Sequence, residues 1–140
     1  MTVSAGPVTR EAVVAAARAT IGTRFRPQGR TPGLALDCVG LALVAGRAAG
    51  TVPDRLPVYA LGGDNGDRIE RALQALGCEC VASALPGDLL LIAPTPRQRH
   101  LAVVSPAGVI QAHAGLGLVV EGPLDPLWTI LGIWRFPGVS

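Results

Sequence analysis

The chain changes character at Glu79, and that change limits its fold more than any other feature. Upstream, alanine is abundant and apolar residues recur at helical spacing. Residues 8–21 read as an Ala-rich helix with Thr9 as its cap and Gly22 as its stop. A second helix starts at Cys38 and runs to about Gly50, and residues 67–76 put Ile69, Ala72, Leu73 and Leu76 on one face before Gly77. Downstream come short apolar runs bounded by Gly and Pro, at 80–84, 88–93, 100–105, 109–113, 118–121 and 130–136. Each reads as a strand. Ser105-Pro106-Ala107-Gly108 is a tight turn, so the runs on either side of it should form an antiparallel hairpin. Helices first and strands afterwards imply an α+β domain, its N-terminal helices packed on one face of a C-terminal antiparallel sheet.

At 140 residues the chain reads as a single domain, 1–140, able to build one core without disulfides or metals. Apolar residues make up 49% and aromatics 4%, so that core is aliphatic. A net charge of +2, with no basic face interleaved with aromatics, argues against nucleic acid as a partner. No apolar run approaches the length of a membrane span. The first residues lack the charged and apolar regions of a signal peptide, so synthesis in the cytoplasm is expected, with any export depending on a carrier. Three cysteines without such a signal argue against a disulfide framework, and Cys78-Glu79-Cys80 lacks a second ligand pair for zinc. These two thiols read as ordinary ones at a helix-to-strand junction. Gly63-Asp64-Asn65-Gly66-Asp67 is too short for a calcium loop and reads as a turn with a helix cap. No metal or other cofactor is called for.

Asp37-Cys38-Val39-Gly40-Leu41 carries the chemistry. A Gly/Pro/Arg-rich loop precedes it and a small apolar stretch follows, so Asp37 is placed as an N-cap and Cys38 in the first helical turn. There the helix dipole and unpaired amides favour a thiolate. His100 opens a strand, and alternation puts it on one face with Ala102 and Val104. On the next strand Val109, Gln111 and His113 share a face, so Gln111 or His113 is placed to orient the imidazole. A cysteine on a helix N-terminus and a histidine on a strand are the two essential parts of a cysteine hydrolase. Taken alone, Cys38 also fits an inert buried thiol, and His100 a polar residue at a strand edge.

Taken in order, these segments resemble the NlpC-type peptidoglycan endopeptidases, a papain-like family. The likeness runs through Ile21-Gly22-Thr23-Arg24-Phe25, Asp37-Cys38-Val39-Gly40-Leu41, Pro86-Gly87-Asp88-Leu89-Leu90-Leu91, His100-Leu101-Ala102-Val103-Val104 and Val109-Ile110-Gln111-Ala112-His113. It implies a papain-like fold with Cys38 as nucleophile and His100 as general base. The third, orienting position falls on Gln111, with His113 as the substitute. Relatives usually carry Tyr where this chain has Phe25, so that position should contact substrate without a hydroxyl. The segment 119–137 is most similar to the cell-wall peptidases encoded with phage tails and gene transfer agents.

The resemblance thus implies hydrolysis of γ-D-glutamyl amide bonds in peptidoglycan stem peptides, through a thioester. Tail proteins would be partners and a phage-like tail the carrier. Arg24 and Arg26 are expected beside the cleft as substrate-binding groups, since Arg suits carboxylates. Two other functions fit the same residues: a tail-assembly protein with weak or lost hydrolysis, or a papain-like amidase or acyltransferase acting on a small substrate.

Overall fold

The computed structural model describes residues 9–51 and 66–139. The expected extended connection after Gly50, and most of the 63–67 turn, lie outside them. Helix α1 (Arg10–Arg18) starts where Thr9 accepts a hydrogen bond from the Ala12 amide, the side-chain cap its sequence calls for. Within the Arg/Pro/Gly loop, β1 (Arg30–Thr31) and β2 (Ala35–Leu36) pair as a short hairpin that the run of turn residues concealed. Helix α2 (Cys38–Ala48) follows at once, capped by Asp37, and α3 (Gly66–Ala75) ends at Gly77 in the left-handed region.

Six strands complete the chain: β3 (Glu79–Val81), β4 (Leu89–Ala93), β5 (His100–Ser105), β6 (Gly108–His113), β7 (Leu118–Gly122) and β8 (Thr129–Arg135). They form one antiparallel sheet in the order β3-β8-β4-β5-β6-β7. The hairpin about Pro106-Ala107 is present as expected, with Ser105 opposite Gly108. The insertion of β8 between β3 and β4 is not readable from local pattern, because it depends on a long-range return of the chain.

Strand alternation divides the apolar residues between two faces. Leu89, Leu91, Leu101, Val103, Ile110, Ala112 and Val119 join the buried residues of the helices, among them Val13, Ala17, Val39, Leu41, Leu43 and Leu73. Leu90, Ile92, Ala102 and Val109 form a smaller cluster on the other side, covered by Leu124, Trp128 and Ile133. Helix α2 lies against β5 and β6, and α1 against α2 and β5. No helix of the described residues is long and apolar enough to cross a membrane.

Asp88 ties these layers together. Its carboxylate is fully buried and accepts from Arg10 on α1 (3.0 Å), from Arg135 on β8 (3.0 and 2.8 Å) and from the Leu85 amide (2.9 Å). Burial alone would raise its pKa, but the bonds from Arg135, Leu85 and Arg10 outweigh that and hold it below the ordinary carboxylate value. The stabilisation is therefore complete above the ordinary Asp range and is lost as pH falls through the lowered value. Asp88→Ala should cost about 3 kcal/mol in urea unfolding, since it strands two guanidinium groups. It should also flatten the acid limb of stability against pH.

Candidate active site

Asp37 places the thiol. Its Oδ1 accepts from the Gly40 amide (2.8 Å) and from Arg30 (2.7 Å), and its Oδ2 accepts from the Gln28 amide (2.8 Å). One carboxylate thus caps α2 and clamps the loop that precedes it. Gln28 is held with φ at 61°, a left-handed conformation that L-residues enter at a cost. Gly40 is needed because a Cβ there would collide with the Gly29 carbonyl oxygen. Cys38, the first residue of α2, is 6% exposed.

Backbone bonds then carry this loop to the sheet. The Leu36 amide donates to the Arg24 carbonyl, and the Phe25 amide to that of Gly117. Arg24 bridges Leu118, which opposes His113 across β6 and β7. Phe25 also bridges Leu36, two residues before Cys38. The start of α2 is therefore fastened to the end of the sheet where β5 begins and β6 ends.

At that end the His100 and Gln111 side chains meet, Nε2 to Oε1, at 3.0 Å. With the Gln oxygen as acceptor, Nε2 carries the hydrogen and Nδ1 keeps the lone pair of a base. Both residues fall in alternation with Ala102 and Val109, so they belong to the face covered by Trp128, whereas Cys38 packs with the helix-side cluster. Trp128 meets the His100 ring edge to face, with centroids 5.6 Å apart. The same indole stacks on His113 at 5.9 Å.

His113 does not carry the bond to His100. Its Nδ1 accepts from the Leu116 amide (3.0 Å), which holds the turn between β6 and β7. The sequence does not mark Trp128 as part of this site. Its only signal there is a large aromatic in a Pro-rich link between strands, and nothing in that pattern says which ring it covers.

Burial pushes the His100 imidazole down to about 4; the Gln111 bond opposes this shift, and the charge of His113 adds to it. The ring is a neutral base over the physiological range. Cys78 has the opposite fate for a thiol: burial first, then nearby Asp88, pushes it up to about 12, so it stays protonated. Cys80 is exposed on β3. No group of side chains able to hold a metal occurs among the described residues.

Phe25 is half-buried against the helix-side cluster. Arg24 and Arg26 alternate with it and line an open groove with Gly22, Gly33, Leu34 and Ala35. They stand on the far side of their segment from Phe25. Of the arginines before His100, Arg99 donates to the carbonyls of Pro96 and Gln98, and Arg97 is exposed.

Solved structures of similar fold include two from one organism. One is NlpC1 from Trichomonas vaginalis, with a TM-score of 0.65 and 18% identity over 91% of this chain and 44% of that one. The other is NlpC2 from the same organism, with a TM-score of 0.65 and 15% identity over 97% of this chain and 48% of that one. The fold is NlpC-like. The chain spans about half the length of these neighbours. No protein-family model and no curated protein matches the sequence.

Two measurements check this geometry. NMR titration should find the His100 ring uncharged down to about pH 4, with Gln111→Leu lowering its pKa further and Trp128→Ala returning it toward 6.5. The linked stability is complete above 6.5 and is lost as pH falls through about 4. Gly40→Ala should destabilise the chain by about 2 kcal/mol, as overpacking against fixed backbone does.

Proposed function

We propose that the chain is a cysteine peptidase of peptidoglycan stem peptides, working by acyl transfer through a thioester. The observation that carries this reading is the His100–Gln111 bond, formed at the end of the sheet to which the Asp37-clamped loop ties Cys38. A helix-start cysteine, a neutral imidazole with its Nδ1 available, and an amide fixing that tautomer are the components such chemistry requires.

In the proposed reaction His100 Nδ1 takes the proton of Cys38 around the end of β5, leaving a thiolate and an imidazolium. The sulfur attacks the amide carbonyl. First-turn amides of α2 have no intrahelical acceptor and stabilise the oxyanion; the Gly40 amide is excluded, because Asp37 already occupies it. The imidazolium then protonates the leaving amine, and the neutral ring next activates water to release the acid. Gln111 keeps Nε2 protonated throughout and Trp128 shields the ring edge from solvent. Phe25 contributes an apolar contact beside the thiol in place of a hydroxyl.

The substrate assignment, a γ-D-glutamyl bond to a diamino acid, is supported by the sequence likeness at the five quoted segments. Delivery by a phage-like tail, with tail proteins as partners, is supported by the likeness of segment 119–137. Mass spectrometry of purified muropeptides incubated with the chain should show stem cleavage. Cys38→Ala should reduce it to background with the fold retained by circular dichroism. Gln111→Ala should lower kcat by roughly a hundredfold, in the range of losing an orienting group. Cleavage of simple amides with intact muropeptides would overturn the wall assignment, and cleavage by Cys38→Ala would overturn the nucleophile.

A further inference from the structure

Four arginines of the described residues are paired with carboxylates: Arg10 and Arg135 with Asp88, Arg18 with Glu121, and Arg30 with Asp37. Arg24 and Arg26 have no carboxylate partner among the described residues. They lie two apart on one extended segment, both exposed, and line the same groove of about 440 Å³. Two like charges on one face repel each other, and among the described residues Arg26 Nη1 donates to the Phe25 carbonyl (3.0 Å), not to a carboxylate.

The groove is rigidly built. One wall is 22–26 and the other 33–36, and three bonds tie them: Leu36 amide to Arg24 carbonyl (2.9 Å), Arg26 amide to Leu36 carbonyl (3.2 Å) and Gly33 amide to Thr23 Oγ1 (3.1 Å). The outer wall is also bonded to the start of β7 through Phe25 and Gly117. Gly22 and Gly33 both have positive φ, and a Cβ on either would meet nothing within 4 Å, so the space beside the arginines is open. Leu34, 70% exposed, supplies an apolar surface next to them.

We propose that this groove is a binding site distinct from the Cys38 thiol, and that its ligand is an extended acidic peptide with carboxylates on alternate residues. In an extended segment the α-carbons of Arg24 and Arg26 are roughly 6.6 Å apart, two strand repeats. An extended peptide has the same repeat, so side chains two apart meet both guanidinium forks. Each fork binds a carboxylate bidentately, which gives a planar match that a point anion lacks. The residue between or beside the two acids then rests on Leu34.

The test is an NMR titration of the whole chain with end-blocked Glu-Ala-Glu. The expected result is movement of the Gly22 and Gly33 amides and of the Arg24 and Arg26 Nε–H signals. Arg24→Gln with Arg26→Gln should weaken binding by roughly tenfold or more, as loss of charge-assisted pairs does. Arg24→Lys should give an intermediate loss, and the exposed Arg47→Gln none. Unperturbed amides elsewhere certify that the variants remain folded. Absence of shifts, equal binding of inorganic phosphate or Gln-Ala-Gln, or full binding by the double variant would overturn the proposal. The readout is binding alone, so its outcome is separate from that of the peptidase reading.

Discussion

The Asp37 carboxylate does two jobs that a single residue type can combine. It satisfies the Gly40 amide at the start of α2, and it holds the Gln28 amide and the Arg30 guanidinium of the preceding loop. A cap alone would start the helix but leave its direction to packing. With the loop clamped as well, the helix start is fixed to a segment whose backbone is already bonded to β7. The position of Cys38 then follows from the sheet rather than from the helix.

The same logic runs through the rest of the site. A short carboxylate or amide is met by donors from elements distant in sequence, and the candidate site sits at the junction. Asp88 joins α1, the turn before β4 and β8. Gln111 joins β6 to the ring at the start of β5. Trp128 closes the other side of that ring from the link between β7 and β8. The effect on His100 is an imidazole that stays neutral over the physiological range in a partly water-excluded position.

Much of this was legible in the chain. Asp37 before a small apolar run specified both the cap and the helix, and the hairpin of β5 and β6 followed from its turn and alternation. The sequence favours Gln111 over His113 beside the ring, and the structure puts Gln111 on the imidazole and engages His113 with Leu116 and Trp128. What could not be read depends on chain return. The pairing of β8 with β4 and the reach of Trp128 over His100 are set by tertiary contacts, not by local spacing. The expected strand at 80–84 is shorter and earlier, at Glu79–Val81, because its ladder with β8 ends at Ile133. Arg24 and Arg26, expected beside the cleft as carboxylate-binding groups, line an open groove with Gly33 and Leu34. Alternation about the half-buried Phe25 sets both on the opposite side of that segment.

The proposed chemistry requires a nearly buried thiol and a ring fixed from another element to act as one unit, although they belong to different faces of the sheet. Limited alkylation with iodoacetamide near neutral pH, mapped by mass spectrometry, tests it directly. Cys38 should be modified before the exposed Cys80, and His100→Ala should remove this preference. Modification of Cys80 first, with Cys38 slow and indifferent to His100, would contradict it.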